Sequence, residues 1–506
     1  MRGIRTVQLT SADLTRPTPD RLWPRWLFLR ALGLIFFSAF YSLAYQIHGL
    51  IGERGILPAD FYLRGVATQL GPLTRVWYAP TLLWISASDR ALTFVVAAGI
   101  VASVLLVINV YPRLSVTLCT LFFLSCIAAL QDFSSYQSDG MLLEAGFISM
   151  FFAPRGARPG LGEDHPPSRF SLFMLQWEWF RIYFESGLVK LMSGDPHWRN
   201  LTAMDDYYQN GPLPSWMGWY VQQMPHWYHA GTVIFTLFVE LFLVWLLFFG
   251  RRERLMCFVV VTALQIGIIA TANYAFLNYL VLVLGVLLLD DGMLARMGFK
   301  RPMPSPTARN RHPVARRAEA LILGVAFYTT IAAFLLGGGG SFLALPDRLL
   351  SPFRIANAYG LFAVMTEQRY EIEFQGSKDG KTWFPYRFQY KPQNPADRPG
   401  FYAPYQPRFD WNLWFASLAS WRSAPWVVLA EQRLVEGSPD VLSLFRGDPF
   451  RGKPPAMVRT ILWQYWFTDL ATKRKTGNWW RREELAPYAP PVMRDSTGEL
   501  IFGGDF

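Results

Sequence analysis

The feature that most limits how this chain can fold is its succession of long apolar runs, the first opening near Leu27 and reaching about Leu50. Hydrocarbon offers no partners to backbone amides, so an apolar run of about 20 residues is stable there only as a helix. Eight more candidates follow, at roughly 91–110, 115–131, 141–154, 170–191, 229–249, 255–272, 275–290 and 318–337. The fold class this predicts is a membrane α-helical bundle of about nine spans. The run at 141–154 is short for a full crossing and leaves a re-entrant segment as the alternative. No small-residue cleavage site follows the first run, which therefore reads as a retained span and not as a signal peptide. The composition agrees, being 52% hydrophobic and 17% charged, where soluble domains carry about a quarter charged residues.

Basic residues supply the orientation. The formal net charge is +11, but the arginines sit in short loops between apolar runs, which is a topology pattern. The expected partner is therefore the lipid membrane, and no nucleic acid is expected. With a cytoplasmic N-terminal segment (1–26), nine spans bring Arg155, Arg158 and Arg169 to the cytoplasmic side, together with Arg251, Arg252, Arg254 and the basic 291–317 loop. The other side keeps Arg199 and the uncharged turn ANYAFLN. The segment 51–90, with Arg54, Arg64, Arg75 and Arg90, fits this rule less well. A re-entrant 141–154 would break the parity, which favours nine spans. The bundle then covers 27–338, and residues 339–506 form an extracytoplasmic C-terminal domain.

That domain reads as β-rich, an α+β fold of β-sandwich type. In RYEIEFQGSKDGKTWFPYRFQY, Tyr370, Ile372 and Phe374 alternate with Glu371, Glu373 and Gln375, and Asp379-Gly380 supplies a hairpin turn. MVRTILWQYWF (457–467) is a second strand, while DWNLWFASLASW and WVVLAEQRLVEGSPDV read as helical, with Ser438 starting a helix.

Charged residues inside the apolar runs need a reason. Glu178, Arg181 and Glu185 fall on one stripe of the 170–191 helix, with Arg181 three and four residues from the two acids. A paired triad facing the bundle interior is the cheapest way to keep them in a membrane, so the triad is read as a structural charge cluster. Lys190 lies roughly 140° around the helix from Glu185, near the outer end, where snorkelling to the interface competes with a functional role. Gln137, Asp139 and Glu144 sit at a similar depth, which makes a polar cavity near the outer leaflet the default expectation.

Other chemistry is thin. Cys119, Cys126 and Cys257 all lie in apolar runs, without a CxxC pair, and read as buried filler. His226 and His229, with His197 in the same loop, lack an acidic partner at diagnostic spacing, so no metal is expected. Asn200-Leu201-Thr202 is a glycosylation sequon on the outer side.

Several long stretches, in order, resemble the lipase maturation factors. They are GLIGERGILP (49–58), SSYQSDGMLLEAGF (134–147), SGLVKLMSGDPHWRNLTAMDDYYQNGPLP (186–214), RIANAYGLFAVMT (354–366), RYEIEFQGSKDGKTW (369–383) and RPGFYAPYQPRFDWNLWFASL (398–418). The resemblance implies a membrane protein without enzymatic activity or cofactor, which assists the folding and assembly of exported proteins, lipases among them. It places the C-terminal domain in the lumen of the endoplasmic reticulum, or in the periplasm if the chain sits in a bacterial inner membrane. The client-binding surface this suggests is Tyr402, Tyr405, Arg408, Asp410 and Trp411, with a corner locking domain to membrane as the competing role. A more distant likeness, in GLVKL…GDPHW, is to the vitamin-K-dependent carboxylase and its bacterial relatives. It implies the alternative of an enzyme in which Lys190 acts as base on a membrane quinone or hydroquinone, helped by Glu144 and Asp139. A carboxylate close to Lys190, such as Glu185, would argue for pairing and against base catalysis.

Overall fold

The computed structural model describes residues 17–303, 312–337, 341–495 and 497–503. Most of the N-terminal segment, part of the basic 291–317 loop and the boundary near Gly340 lie outside the described residues.

Among the described residues a helix stands at each of the nine apolar runs: α1 (Leu22–Ile51), α2 (Asp89–Val107), α3 (Pro112–Ile127), α4 (Gln137–Phe152), α5 (Arg169–Met192), α6 (His226–Leu241), α7 (Arg251–Thr271), α8 (Leu277–Gly285) and α9 (Pro313–Leu336). Five of them, α1, α2, α6 with its 3-10 extension to Phe248, α7 and α9, are long and apolar enough to cross a membrane. Their outward faces carry exposed Phe94, Phe238, Val259, Ile266 and Leu321, an apolar belt suited to lipid. The first helix starts at Leu22, ahead of the predicted Leu27, and segment 51–90 forms two short helices, Ala59–Gln69 and Pro72–Tyr78.

α4 and α5 occupy the centre. α4 is one unbroken helix of 16 residues, without the reversal a re-entrant loop needs, and most of it is buried. Close packing around it uses small residues. A β-carbon on Gly99 of α2 would overlap the Phe40 ring of α1, and one on Gly146 of α4 would overlap Thr120 of α3.

Among the described residues the C-terminal domain holds one five-stranded antiparallel sheet, order β2-β1-β3-β4-β5, and not the two sheets of a sandwich. Its strands are β1 (Arg369–Ser377), β2 (Phe384–Pro385), β3 (Met457–Phe467), β4 (Trp480–Arg494) and β5 (Leu500–Phe502). β1 and β3 pair from Arg369 opposite Tyr465 to Ser377 opposite Met457. The turn after β1 is closed by the Asp379 carboxylate, which accepts from Lys381 N and Thr382 N. Helices α10 (Arg408–Ser417) and α11 (Trp426–Glu436) lie against the sheet, replacing the second sheet of a sandwich. Gly437 ends α11 at positive φ, and Ser438 caps the next turn by accepting from Val441 N.

The domain sits on one end of the bundle. Gln46 of α1 donates to Gln406 O, Tyr136 donates to Arg408 O, and Asn273 donates to Gly400 O. At the other end, Tyr111 N bonds Ala157 O and Asp291 N bonds Asp20 O, so the basic 153–169 and 250–254 turns gather there. Buried apolar side chains form one continuous core from Phe28 in α1 to Val492 in β4.

Candidate functional site

The charged segment of α5 faces a strap, residues 354–366, which leads into β1. The strap has no regular secondary structure, so its buried backbone groups need side-chain partners. The bundle provides them one after another. Glu144 of α4 accepts from Asn357 N and Asn357 Nδ2, both at 3.0 Å, and from the Tyr359 hydroxyl at 2.8 Å. Glu185 accepts from Tyr359 N at 2.8 Å, Gln137 from Gly360 N at 3.1 Å and Ser186 from Leu361 N at 3.3 Å. Further along, Asp195 accepts from Met365 N, Trp198 donates to Phe362 O and Asn210 donates to Thr366 O. Arg181 sits in the middle, bonded to Glu144 and to Asn357 O, with Glu185 at 4.0 Å.

The triad expected within one helix is thus divided. Arg181 takes its short ion pair from Glu144 on α4, with Glu185 second. Glu178 is fully buried, and neither of its carboxylate oxygens makes a hydrogen bond to the described residues.

A second lock uses α10. Arg408, fully buried, makes two bonds to Asp139 of α4, at 2.7 and 2.8 Å, and a third to Phe133 O. Trp411 packs edge-on against Tyr136, Tyr405 bonds Gln46, and Tyr402 N donates to Asn273. Asp410 accepts from Lys391 N and Tyr390 N. The stretch expected as a client-binding surface therefore turns inward. Arg408, Asp410 and Trp411 are buried, Tyr402 and Tyr405 half-buried, and together they join the domain to the bundle.

Lys190 does not snorkel. It is 2% exposed and holds both oxygens of Glu240 on α6, at 2.7 and 2.8 Å, above the Trp198 ring. The carboxylate beside it is Glu240 and not Glu185. Lys190, Glu144 and Asp139 each have their own counter-ion, Glu240, Arg181 and Arg408, so they do not converge on one reacting centre. The hydroquinone-enzyme alternative has no support in this arrangement. His197 pairs with Asp195 and His226 with Asp205.

In the domain, Glu371 on β1 takes Arg369 and the buried Lys391, while Glu373 takes Arg482. The acids of the alternating strand are therefore covered and ion-paired, with both faces of β1 packed. Burial lowers Lys391 from the ordinary lysine range against the pull of Glu371. Burial likewise pushes Asp410 up to about 6, opposed by Lys391 and by two backbone N–H groups.

Sequence reasoning missed Glu240, although a lone acid inside TLFVELFLVW is itself a signal. It also missed Asn357 and Tyr359, which lie in a stretch without periodicity.

Two outcomes are expected. Lys190→Met leaves Glu240 buried without a counter-charge and should cost about 3–5 kcal/mol. Lys190→Met with Glu240→Leu should recover most of that loss, as read by urea unfolding in mild detergent. For Asp410, the folded value lies above its ordinary 3.8, so the fold prefers the protonated acid. Its contribution is complete below about pH 4 and declines as pH rises through about 6, by up to ~3 kcal/mol. Asp410→Asn should remove this decline from the pH dependence of the unfolding midpoint.

Comparison with known proteins agrees with both halves of this structure. The lipase maturation factor transmembrane domain matches residues 23–296, and the lipase maturation factor C-terminal domain matches residues 355–490. Lipase maturation factor 1 of Mus musculus is 30% identical over 94% of this chain and 88% of its own length. Lipase maturation factor 1 of Homo sapiens is 29% identical over 92% and 87%, and lipase maturation factor 2 of Gallus gallus 30% identical over 95% and 82%. No solved structure matches the chain. By these matches across bundle and domain, the chain belongs to the lipase maturation factor family.

Proposed function

We propose that this protein is a membrane-anchored maturation factor for exported lipases, which presents its C-terminal domain to a client that has not finished folding. The observation that carries this reading is the match of both halves to lipase maturation factors, in a chain whose domain is bonded to its bundle through buried charges. Clamping of this kind suits a protein that must hold a translocated chain at a set distance from the membrane. The cluster of Glu144, Arg181 and Glu185 and the Lys190–Glu240 pair act as anchors, with no reaction assigned to them.

In this reading all nine helices cross, α3, α4, α5 and α8 together with the five long apolar ones. An odd number of crossings sets the domain opposite the N-terminal segment. The arginines of the 153–169 and 250–254 turns, at the end away from the domain, then lie in the cytoplasm, as the positive-inside rule requires. The domain faces the periplasm in a bacterial inner membrane, or the lumen in an endoplasmic reticulum membrane.

The test is to express a secreted lipase in cells with and without this chain. Activity per unit of lipase protein should fall at least about tenfold without it, a change of about 1.4 kcal/mol in the balance of active and inactive client. Restoring the full chain should restore activity. Equal specific activity in both cells would overturn the proposal.

A further inference from the structure

We propose that a basic cavity of the C-terminal domain, beside the end of the bundle that carries it, binds the phosphate of an anionic phospholipid from the adjoining leaflet. This rests on the placement of the bundle in a membrane and not on the maturation of lipases. The cavity has a volume of about 410 Å³, and its wall includes Arg387, Lys391, Arg398, Arg446 and Arg482 against Glu373 and Asp397. Lys391 is taken by Glu371 and Arg482 by Glu373. Arg387, Arg398 and Arg446 pair with no carboxylate among the described residues. Three guanidinium groups and one carboxylate, Asp397, are thus left to be balanced by what enters.

Two of these arginines are held where like charges repel. Phe388 and Phe445 form an antiparallel bridge, and Arg446 N donates to Arg387 O at 2.7 Å. Arg387 and Arg446 therefore stand opposite each other on one face of the pair, and both are exposed. Arg446 is fixed further by its bond to Gln389 O at 2.8 Å. Cations placed in this way destabilise the pairing, and an anion between them removes the penalty. A guanidinium presents parallel N–H groups that match two oxygens of one phosphate.

Position identifies the source of the anion. Pro214 in the wall pairs with Ala272, just past the end of α7. Gln389 and Tyr390 are shared with a second cavity, of about 450 Å³, whose wall includes Tyr41 and Tyr45 of α1. These two tyrosines are 42% and 63% exposed, and tyrosines so placed on a membrane helix mark the level of the headgroups. Ser38, nearer the middle of α1, donates to Pro404 O, so the domain reaches down the flank of this helix. On the same flank Leu34 is 57% exposed and Phe37 stacks on Tyr41, which continues the stripe with apolar surface for an acyl chain. One lipid can therefore use both features, its phosphate among the arginines and a chain along α1. An acidic peptide or inorganic phosphate would match the arginines and leave the stripe unused.

The test is native mass spectrometry of the full chain in mild detergent, with equal amounts of phosphatidylglycerol and phosphatidylcholine. Phosphatidylglycerol should be retained about tenfold over phosphatidylcholine, whose choline brings a cation to the arginines. Arg387→Gln with Arg446→Gln should abolish that preference at an unchanged melting temperature, since both side chains are exposed. Arg481→Gln, at an exposed arginine of β4 outside the cavity, should leave it intact. Tyr45→Ala should weaken retention of phosphatidylglycerol roughly threefold. An unchanged preference in the double variant, or an equal loss in Arg481→Gln, would overturn the proposal. So would displacement of the lipid by a hexaglutamate peptide or by inorganic phosphate at equal concentration, which would make the cavity a site for an acidic segment or a free anion. Equal retention of the two lipids overturns this site alone. Retention of neither overturns the site together with the membrane placement on which it rests.

Discussion

A carboxylate that stays ionised in a medium of low dielectric needs a cation or several N–H groups, and the joining of strap and α10 to the bundle follows from where the partners of three such acids come from. Asp139, Glu144 and Glu185 all lie on the two central helices, yet the groups that satisfy them come largely from beyond residue 350. The strap and α10 supply these partners, and in return the bundle accepts from or donates to much of the strap's backbone. These bonds and the apolar core that runs through both parts together join the domain to the bundle.

The energetics of such pairs are asymmetric. A buried ion pair adds little net stability over a well-packed apolar replacement, but removing one partner costs several kcal/mol. Pairs of this type discriminate between arrangements. Arg408 and Asp139, or Lys190 and Glu240, tolerate one docking and penalise any slip that separates them.

Much of the scaffold was legible in the residues. Among the described residues a helix stands at each of the nine apolar runs, alternation located β1, a strand-like run located β3, and Ser438-Pro439 marked a helix start that the structure has. β4 escaped because Pro487, Pro490 and Pro491 read against a strand, and the sheet absorbs them through register shifts opposite Val458 to Trp463. The site was legible in its members but not in its pairings. Helical periodicity set Glu178, Arg181 and Glu185 on one stripe, yet which acid reaches Arg181 depends on α4, and a single helix cannot say what faces it. Lys190 near a helix end looked free to snorkel because Glu240, its partner on α6, is 50 positions away. Arg408, Asp410 and Trp411 read as a binding surface or as a corner locking domain to membrane, and the residues they meet, Asp139, Lys391 and Tyr136, are too far along the chain for local pattern to decide between the two.

The most direct test of this account is hydrogen exchange across the strap, 354–366, compared between the full-length protein and Glu185→Leu in the same lipid nanodiscs. Loss of the acceptor for Tyr359 N should raise exchange in the strap by at least about tenfold, while β1 and β3 keep their protection. Unchanged protection of the strap in Glu185→Leu would contradict the claim that the carboxylates of the bundle hold the domain in place.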